Sequence, residues 1–261
     1  MAEDSMPRRI ARVIKMSMTY LRRTEALVLL SALGVVVGVL SFAAIADEMR
    51  EGGTQALDQR ALLWFRQADD LGRVIGPPWV GEAARDLSAL GSVAVLILVV
   101  LLLAGFLLLS RRRRAAGFVI LAPATGALLC YLLKDVFDRG RPDLVPRLDM
   151  VIFASFPSGH SMLSAVVYLT LGGLLAQMVR PRRLKAYALA SAMLLAFLVG
   201  MSRIVLGVHY PTDVLAGWAA GLAWAFLWLL IVGRFVASER NACSLGEGSG
   251  EMIGRSNPAA K

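Results

Sequence analysis

The chain of 261 residues is 57% hydrophobic, has a mean hydropathy of +0.64 and carries a formal net charge of +9. So much apolar sequence, gathered into runs of about 20 residues, excludes an ordinary soluble globule and indicates a helical membrane protein. The positive charge does not indicate binding to nucleic acid, because the basic residues are placed around the apolar runs rather than in one basic region.

Six apolar runs predict six transmembrane helices, which places both termini on one side of the membrane. Each run would form a helix about 30 Å long, enough to cross the hydrocarbon core of a bilayer. The predicted spans are residues 27–46, 89–110, 115–133, 159–179, 186–202 and 213–233. The predicted fold class is therefore all-α, a polytopic bundle of six transmembrane helices within a membrane domain at residues 27–234.

The basic residues are divided unevenly between the two sides of this predicted bundle. The termini and the connections on their side carry 18 of the 28 Lys and Arg residues but 6 of the 19 acids. Cytoplasmic loops of membrane proteins are enriched in Lys and Arg. The distribution predicts a protein of the cell inner membrane whose termini are cytoplasmic and whose opposite face is extracytoplasmic.

Three segments outside the spans have distinct compositions. Residues 1–26 are basic with apolar residues at helical spacing, which predicts an amphipathic helix on the cytoplasmic membrane surface. Residues 47–88 mix acids with Trp, Leu and Phe and predict one or two short helices at the extracytoplasmic interface, forming either a lid over a lipid site or a passive connection. Residues 235–261 are rich in Gly, Ser and polar residues and predict a disordered cytoplasmic tail.

The two cysteines predict neither a disulfide nor a metal site. Cys130 lies inside an apolar run and Cys243 in the polar tail, so the two thiols are expected at different levels. No cofactor and no metal are predicted.

Three polar segments fall at the extracytoplasmic ends of the predicted spans, and therefore at one membrane level. The third span leads into residues 134–142, the fourth begins at residues 157–160, and the fifth ends at residues 202–203, before a short connection at residues 204–213. Both histidines of the chain lie in these segments. Their clustering predicts a shared site.

The side chains of this site suit a phosphate group. Lys134, Arg141 and Arg203 provide positive charge, and arginine can bind two phosphate oxygens at once. The Ser158 hydroxyl and the N–H groups of Ser158 and Gly159 can hold further oxygens at the start of a helix. The alternative is that Lys134 and Arg141 are interface cations that extend to the membrane surface, and that Arg203 forms a structural ion pair with Asp213.

The spacing of a histidine and an aspartate indicates which residue is the candidate nucleophile. Pro211 is expected in the first turn of the sixth span, which leaves His209 just before the helix and Asp213 close enough to reach back to its imidazole. A carboxylate on one ring nitrogen makes the other nitrogen a better nucleophile, and His209 is therefore the candidate nucleophile. The alternative is that either histidine is an interfacial imidazole with a purely structural role.

Together the three segments resemble the three-part motif of the type 2 phosphatidic acid phosphatase superfamily, which also includes the vanadium haloperoxidases. The matching residues are Lys134 with Arg141-Pro142, then Pro157-Ser158-Gly159-His160, then Ser202-Arg203 with His209 and Asp213. The resemblance implies phosphoryl transfer in two steps. His209, oriented by Asp213, would form a phosphohistidine, and His160 would act as general acid and then as general base, without a metal.

The position of the site predicts a lipid substrate whose head group lies in the outer leaflet. A polyprenyl diphosphate or a glycerolipid phosphate is expected. Three other functions remain open. They are a lipid phosphotransferase with an acceptor other than water, a vanadate-dependent haloperoxidase, and a transporter or scaffold without catalysis. The sequence predicts no nucleic-acid partner and does not indicate an oligomeric state.

Overall fold

The computed structural model describes residues 6–146 and 154–231, and within these ranges the chain forms eight α-helices. In chain order they are α1 (Met6–Arg50), α2 (Gln55–Trp64), α3 (Trp79–Ala89), α4 (Val93–Leu109), α5 (Arg113–Phe137), α6 (Gly159–Met178), α7 (Arg182–Val205) and α8 (Pro211–Ile231). The predicted all-α class is confirmed.

In the described part of the chain, five helices are long and apolar enough to cross a membrane: α1 over Val28–Arg50, α5, α6, α7 and α8. The sixth candidate is a bent pair, because α3 and α4 meet at 46° and pass the same test together. The predicted second span at residues 89–110 thus begins at the end of one helix and continues in another. Ser92 caps α4, its hydroxyl accepting a hydrogen bond from the N–H of Val95 at 3.4 Å.

The chain divides into two compact units. One comprises residues 1–33 and 227–261, of which residues 6–33 and 227–231 are described, and the other comprises residues 34–226. The helical backbone of α1 is unbroken from Met6 to Arg50, so residue 26 is not a break between helices. The surface location of residues 1–26 stays a prediction, and the predicted tail lies outside the described residues.

Helix α6 is the centre of the larger unit and packs against α4, α5 and α7. A cluster of buried side chains joins α4, α6 and α7: Leu96, Val167, Tyr168, Ala192 and Val199. Helix α8 approaches α6 very closely, because a methyl group on Gly217 would lie 2.7 Å from the carbonyl oxygen of Ser158. The absence of a side chain at Gly217 therefore allows the start of α8 to pack closely against the start of α6.

The stretch at residues 47–88 contains two short helices, α2 and α3, as predicted. Between them Arg66 and Val74 form an isolated antiparallel bridge. Trp64 and Trp79 are exposed, as expected of side chains that reach an interface. Whether this stretch acts as a lid stays a prediction.

Candidate active site

The segments that carry the predicted site residues are joined by hydrogen bonds within residues 34–226. The N–H of Ser158, at the entry to α6, donates to the carbonyl oxygen of Asp213 at 2.9 Å. Nη1 of Arg141 donates to the carbonyl oxygen of Val208, in the α7–α8 connection, at 2.7 Å. The loop after α5, the start of α6 and the start of α8 therefore meet in one place.

His209 and Asp213 face each other at the start of α8. Nδ1 of His209 lies 3.5 Å from Oδ2 of Asp213, and the two side chains are 2% and 0% exposed. The N–H of Tyr210 donates to the same Oδ2 at 2.9 Å, so the carboxylate turns back over the entry to the helix. Helix α8 begins at Pro211, which places Pro211 in its first turn as predicted.

The neighbours of His209 determine which ring nitrogen carries the proton. Nη1 of Arg141 lies 3.3 Å from Nε2 of His209. A guanidinium group can only donate hydrogen bonds, so Nε2 is the acceptor and carries the lone pair. The proton of the neutral ring is then on Nδ1 and faces Asp213. Nε2 is thus the nitrogen available for attack.

The pKa of His209 is lowered from its ordinary value of 6.5 to about 4. Burial is the largest cause because it disfavours the charged imidazolium. Asp213 opposes this change, whereas the positive charges of Arg141 and Arg203 add to it. The ring is therefore neutral at neutral pH, which is the state that a nucleophile requires.

Lys134 and Arg203 are held by different elements. Nζ of Lys134 donates to the carbonyl oxygen of Ala154 at 2.5 Å, and its Cε would lie 3.6 Å from a methyl group placed on Gly159. The ammonium group is therefore beside the turn that enters α6. Arg203, which is 1% exposed, donates from Nη1 to the hydroxyl of Ser88 on α3 at 2.5 Å.

The predicted cations form one positive region. Lys134 lies within electrostatic reach of both Arg141 and Arg203. Like charges brought together in a buried region favour binding of an anion of high charge density, such as a phosphate. Within residues 6–146 and 154–231, no group of three or more His, Cys, Asp or Glu side chains is placed to hold a metal ion.

One expectation for the entry to α6 is corrected. The N–H of Ser158 was expected to hold a phosphate oxygen, but it donates to the carbonyl oxygen of Asp213 and so joins two segments. The Ser158 side chain is the N-cap of α6 and accepts hydrogen bonds from the N–H of Ser161 at 3.5 Å and its hydroxyl at 3.0 Å. The N–H of Ser158 therefore supports the backbone, while the roles of the Ser158 hydroxyl and of Gly159 as phosphate ligands stay predictions.

His160 lies in the first turn of α6 and is partly exposed. Its ring borders the turn between α3 and α4, because a methyl group on Gly91 would lie 3.3 Å from Cδ2 of His160. A larger residue than glycine at this turn would press on the imidazole. The turn before α4 thus takes part in placing His160.

An arginine that was not predicted from the sequence bridges two carboxylates. Nη1 of Arg139 donates to Oδ1 of Asp213 at 2.6 Å, and its Nη2 donates to Oδ2 of Asp58 at 2.8 Å. Asp58 is on α2, within the stretch interpreted as either a lid or a passive connection. Helical spacing was the one feature of the sequence that could have indicated the burial of Asp58. Asp58 lies four residues before the buried Leu62 and therefore on the same helix face.

Ser155 was also missed. Its hydroxyl donates to Oδ2 of Asp213 and lies 3.4 Å from Nδ1 of His209. The sequence around Ser155 carries no helical or motif pattern that would single it out. Together with the N–H of Tyr210 it fixes the oxygen that faces the imidazole.

A family model described as the PAP2 superfamily matches residues 96–237 of the chain. Phosphatidylglycerophosphatase B of Bacillus subtilis (strain 168) is 33% identical over 157 residues, which cover 59% of this chain and 76% of that protein. The lipid A 1-phosphatase of Rhizobium johnstonii is 35% identical over 118 residues, covering 41% of this chain and 43% of that protein.

A solved structure has a similar fold. It is the crystal structure of a transmembrane PAP2-type phosphatidylglycerolphosphate phosphatase from Bacillus subtilis, with a TM-score of 0.70 and 29% sequence identity. The match covers 77% of this chain and 96% of that chain, and so includes nearly all of the solved protein.

Proposed function

The chain belongs to the PAP2 superfamily of membrane phosphatases, and we propose that it hydrolyses a phosphomonoester or diphosphate of a membrane lipid through a phosphohistidine at His209. The observation that carries this proposal is the position of the His209 ring, with Nδ1 facing Asp213 and Nε2 beside Arg141. One nitrogen is held by an acceptor, and the other presents its lone pair next to a phosphate-binding cation.

In the first step, Nε2 of His209 attacks phosphorus, and the bond from phosphorus to the leaving oxygen breaks. His160 donates a proton to that oxygen as general acid. The ring of His209 becomes positively charged when it is phosphorylated, and Asp213 stabilises this charge. The intermediate thus forms beside the carboxylate that oriented the nucleophile.

In the second step, water attacks the phosphohistidine. His160, now neutral, accepts a proton from the water, the bond between phosphorus and Nε2 breaks, and inorganic phosphate leaves. Both imidazoles return to their starting protonation states. The cations Lys134, Arg141 and Arg203 hold the phosphate oxygens in both steps and stabilise the charge that develops on them.

The substrate is a lipid whose head group reaches the extracytoplasmic end of the bundle. Relatives named for phosphatidylglycerophosphate, lipid A 1-phosphate and decaprenylphosphoryl-5-phosphoribose all act on lipid-linked phosphates. This range supports a glycerolipid phosphate or a polyprenyl diphosphate as the substrate of this chain. The distribution of Lys and Arg supports cytoplasmic termini in a cell inner membrane.

The proposal is tested by measuring release of inorganic phosphate by the purified protein in detergent, with and without EDTA. The panel contains phosphatidate, phosphatidylglycerophosphate and a polyprenyl diphosphate. Release from at least one lipid, retained in EDTA and lost in His209→Ala, is expected. Consumption of the lipid phosphate only with an added alcohol acceptor, with the phosphoryl group recovered on the alcohol and not as inorganic phosphate, would indicate a phosphotransferase. Full activity of His209→Ala would overturn the mechanism.

A further inference from the structure

We infer that Asp58, on the external helix α2, is a positioning residue for His209 and acts through Arg139 and Asp213. This inference deepens the proposed function and rests on it for the role of His209. It assigns a task to a helix that the sequence shows only as part of a connection between spans.

Asp58 is 0% exposed, although it belongs to a helix of ten residues outside the predicted spans. A carboxylate is rarely buried unless it is paired. Here Oδ1 accepts from the N–H of Thr212 at 3.1 Å, and Oδ2 accepts from the Thr212 hydroxyl at 2.6 Å and from Nη2 of Arg139 at 2.8 Å. All three donors come from elements that carry the site.

The apolar face of α2 brings Asp58 to this position. Leu62, one turn further along the helix, is 0% exposed and packs with Ile204 at the end of α7 and Val214 at the start of α8. Asp58 and Leu62 thus share the face that contacts the α7–α8 connection. The helix is attached next to the segment that carries His209.

Arg139 links Asp58 to the site because its planar guanidinium has two separate arms. Nη2 is occupied by Asp58, while Nη1 donates to Oδ1 of Asp213 at 2.6 Å and to the hydroxyl of Thr212 at 2.8 Å. Cζ of Arg139 also lies 4.3 Å from the ring centroid of Tyr210. Two carboxylates and one aromatic ring therefore fix the plane of this guanidinium.

Arg139 remains charged in this setting. Burial alone would lower its pKa, but Asp213 and Asp58 outweigh burial and raise the pKa of the guanidinium above its ordinary value.

The orientation of Asp213 depends on this arrangement. Its Oδ1 is held by Arg139, and its Oδ2 faces Tyr210, Ser155 and His209. If Asp58 is neutralised, Nη2 of Arg139 loses its anionic acceptor and the guanidinium can rotate away from Oδ1. The carboxylate of Asp213 can then turn, and its contact with Nδ1 of His209 weakens. Asp213 then holds the proton on Nδ1 less strongly, while Arg141 still favours that tautomer.

The tautomer of His209 can be measured directly because the chain has two histidines. Protein labelled with ¹⁵N-histidine in detergent gives the nitrogen signals of two imidazole rings. The His160→Gln variant shows which signals belong to which ring. In the wild type, His209 is expected to be protonated on Nδ1. In Asp58→Asn, which preserves shape, we expect a larger fraction of the tautomer protonated on Nε2 than in the wild type. Asp70→Asn is the matched control, because Asp70 lies in the same external stretch and forms an exposed ion pair with Arg73.

A double-mutant cycle tests whether Asp58 acts through Arg139. Asp58→Asn is expected to lower kcat by roughly 10–100-fold with little change in KM, as is common for residues that orient a reactive group. If the effect passes through Arg139, the double variant Asp58→Asn/Arg139→Gln has the same kcat as Arg139→Gln. The other charged groups that act on His209, Arg141 and Arg203, are unchanged in these variants.

The inference is overturned if the His209 tautomer of folded Asp58→Asn equals that of the wild type, or if the two losses in kcat multiply. Should Asp58→Asn not fold, Thr212→Val provides the second variant. It removes one donor to Asp58 and one acceptor of Nη1 of Arg139, and keeps the Asp58–Arg139 ion pair. A smaller shift of the tautomer in the same direction supports the inference, and no shift, or loss of folding in both variants, overturns it. A wild type that releases no phosphate would contradict the proposed function, while the tautomer measurement would still decide the role of Asp58.

Discussion

Nη1 of Arg141 lies 3.3 Å from Nε2 of His209 and donates to the carbonyl oxygen of Val208 at 2.7 Å. The same guanidinium thus contacts the backbone next to the proposed nucleophile and the nitrogen that would attack. A phosphate that displaced Nη1 of Arg141 from Nε2 would lie next to both the lone pair of Nε2 and the N–H donors of Arg141. In the proposed mechanism, this arrangement would combine binding of the phosphate with placement of the nucleophile.

Replacement of Arg141 should therefore reduce catalysis more than loss of a surface charge. We expect Arg141→Ala to lower kcat/KM by about 10²–10³-fold, the usual effect of removing one donor to a developing oxyanion. Arg141→Lys should lose less activity because it retains the charge but not the two-armed geometry. Steady-state phosphate release measures both effects. Arg85→Ala, at an exposed position on α3, is the control, and an equal loss there would contradict the assignment.

The low pKa of His209 predicts the pH range over which this residue stays neutral. Because burial disfavours the protonated ring, the neutral form persists as the pH falls, and protonation is expected near pH 4 rather than near pH 6.5. Titration of the ¹⁵N-histidine signals between about pH 8 and about pH 5, a range that includes the ordinary histidine pKa, should therefore show His209 still mostly neutral at its lower end. Asp213→Asn should lower the pKa of His209 further, since Asp213 raises it. A midpoint near 6.5 would show that the ring is not buried as described.

The close approach of α8 to α6 predicts a sensitive glycine. A methyl group on Gly217 would lie 2.7 Å from the carbonyl oxygen of Ser158 and 2.9 Å from Cβ of Ser161. Gly217→Ala should therefore force the helices apart at the site, destabilise the protein by about 1–3 kcal/mol and lower kcat. Thermal unfolding in detergent and phosphate release measure the two effects. Gly117→Ala on α5, where a methyl group meets nothing within 4 Å, is the matched control and should leave both unchanged.

The proposed orientation predicts which loops are reachable from outside the cell membrane. In a protein without Cys130 and Cys243, a cysteine at Ala56 on α2 should react with a membrane-impermeant maleimide in intact spheroplasts. A cysteine at Arg112, between α4 and α5, should react only after the membrane is opened. Both positions are exposed, so accessibility depends on the side of the membrane. The reverse pattern would place the site on the cytoplasmic face.

The fold could be predicted from the sequence because apolar runs report membrane spans directly. The missed detail is the bend of 46° between α3 and α4. Hydropathy averaged over a window of about 20 residues does not reveal a turn of two residues such as Gly91 and Ser92. Likewise, the first span continues to Arg50, beyond the last residue of the apolar run, because helical hydrogen bonding does not require apolar side chains.

The candidate site residues could be proposed from the sequence because both histidines of the chain and three cations fall at one predicted membrane level. The parts that were missed depend on contacts between distant positions. Arg139 and Asp58 are 81 residues apart, and the helical spacing of Asp58 with Leu62 does not indicate which residue Asp58 contacts. The N–H of Ser158 was assigned to phosphate because a free helix N-terminus suits an anion, but the carbonyl oxygen of Asp213 occupies it. Local sequence does not reveal such a partner.

The central claim, that His209 carries the phosphoryl group, is tested most directly by trapping the intermediate. The purified protein is mixed with a lipid substrate labelled with ³²P in the transferred phosphoryl group, quenched within milliseconds under alkaline conditions that preserve phosphohistidine, and digested for mass spectrometry. We predict label on the peptide that contains His209, no label in His209→Ala, and decay of the label at the rate of phosphate release. Label in His209→Ala, or label on another residue that turns over at that rate, would contradict the account.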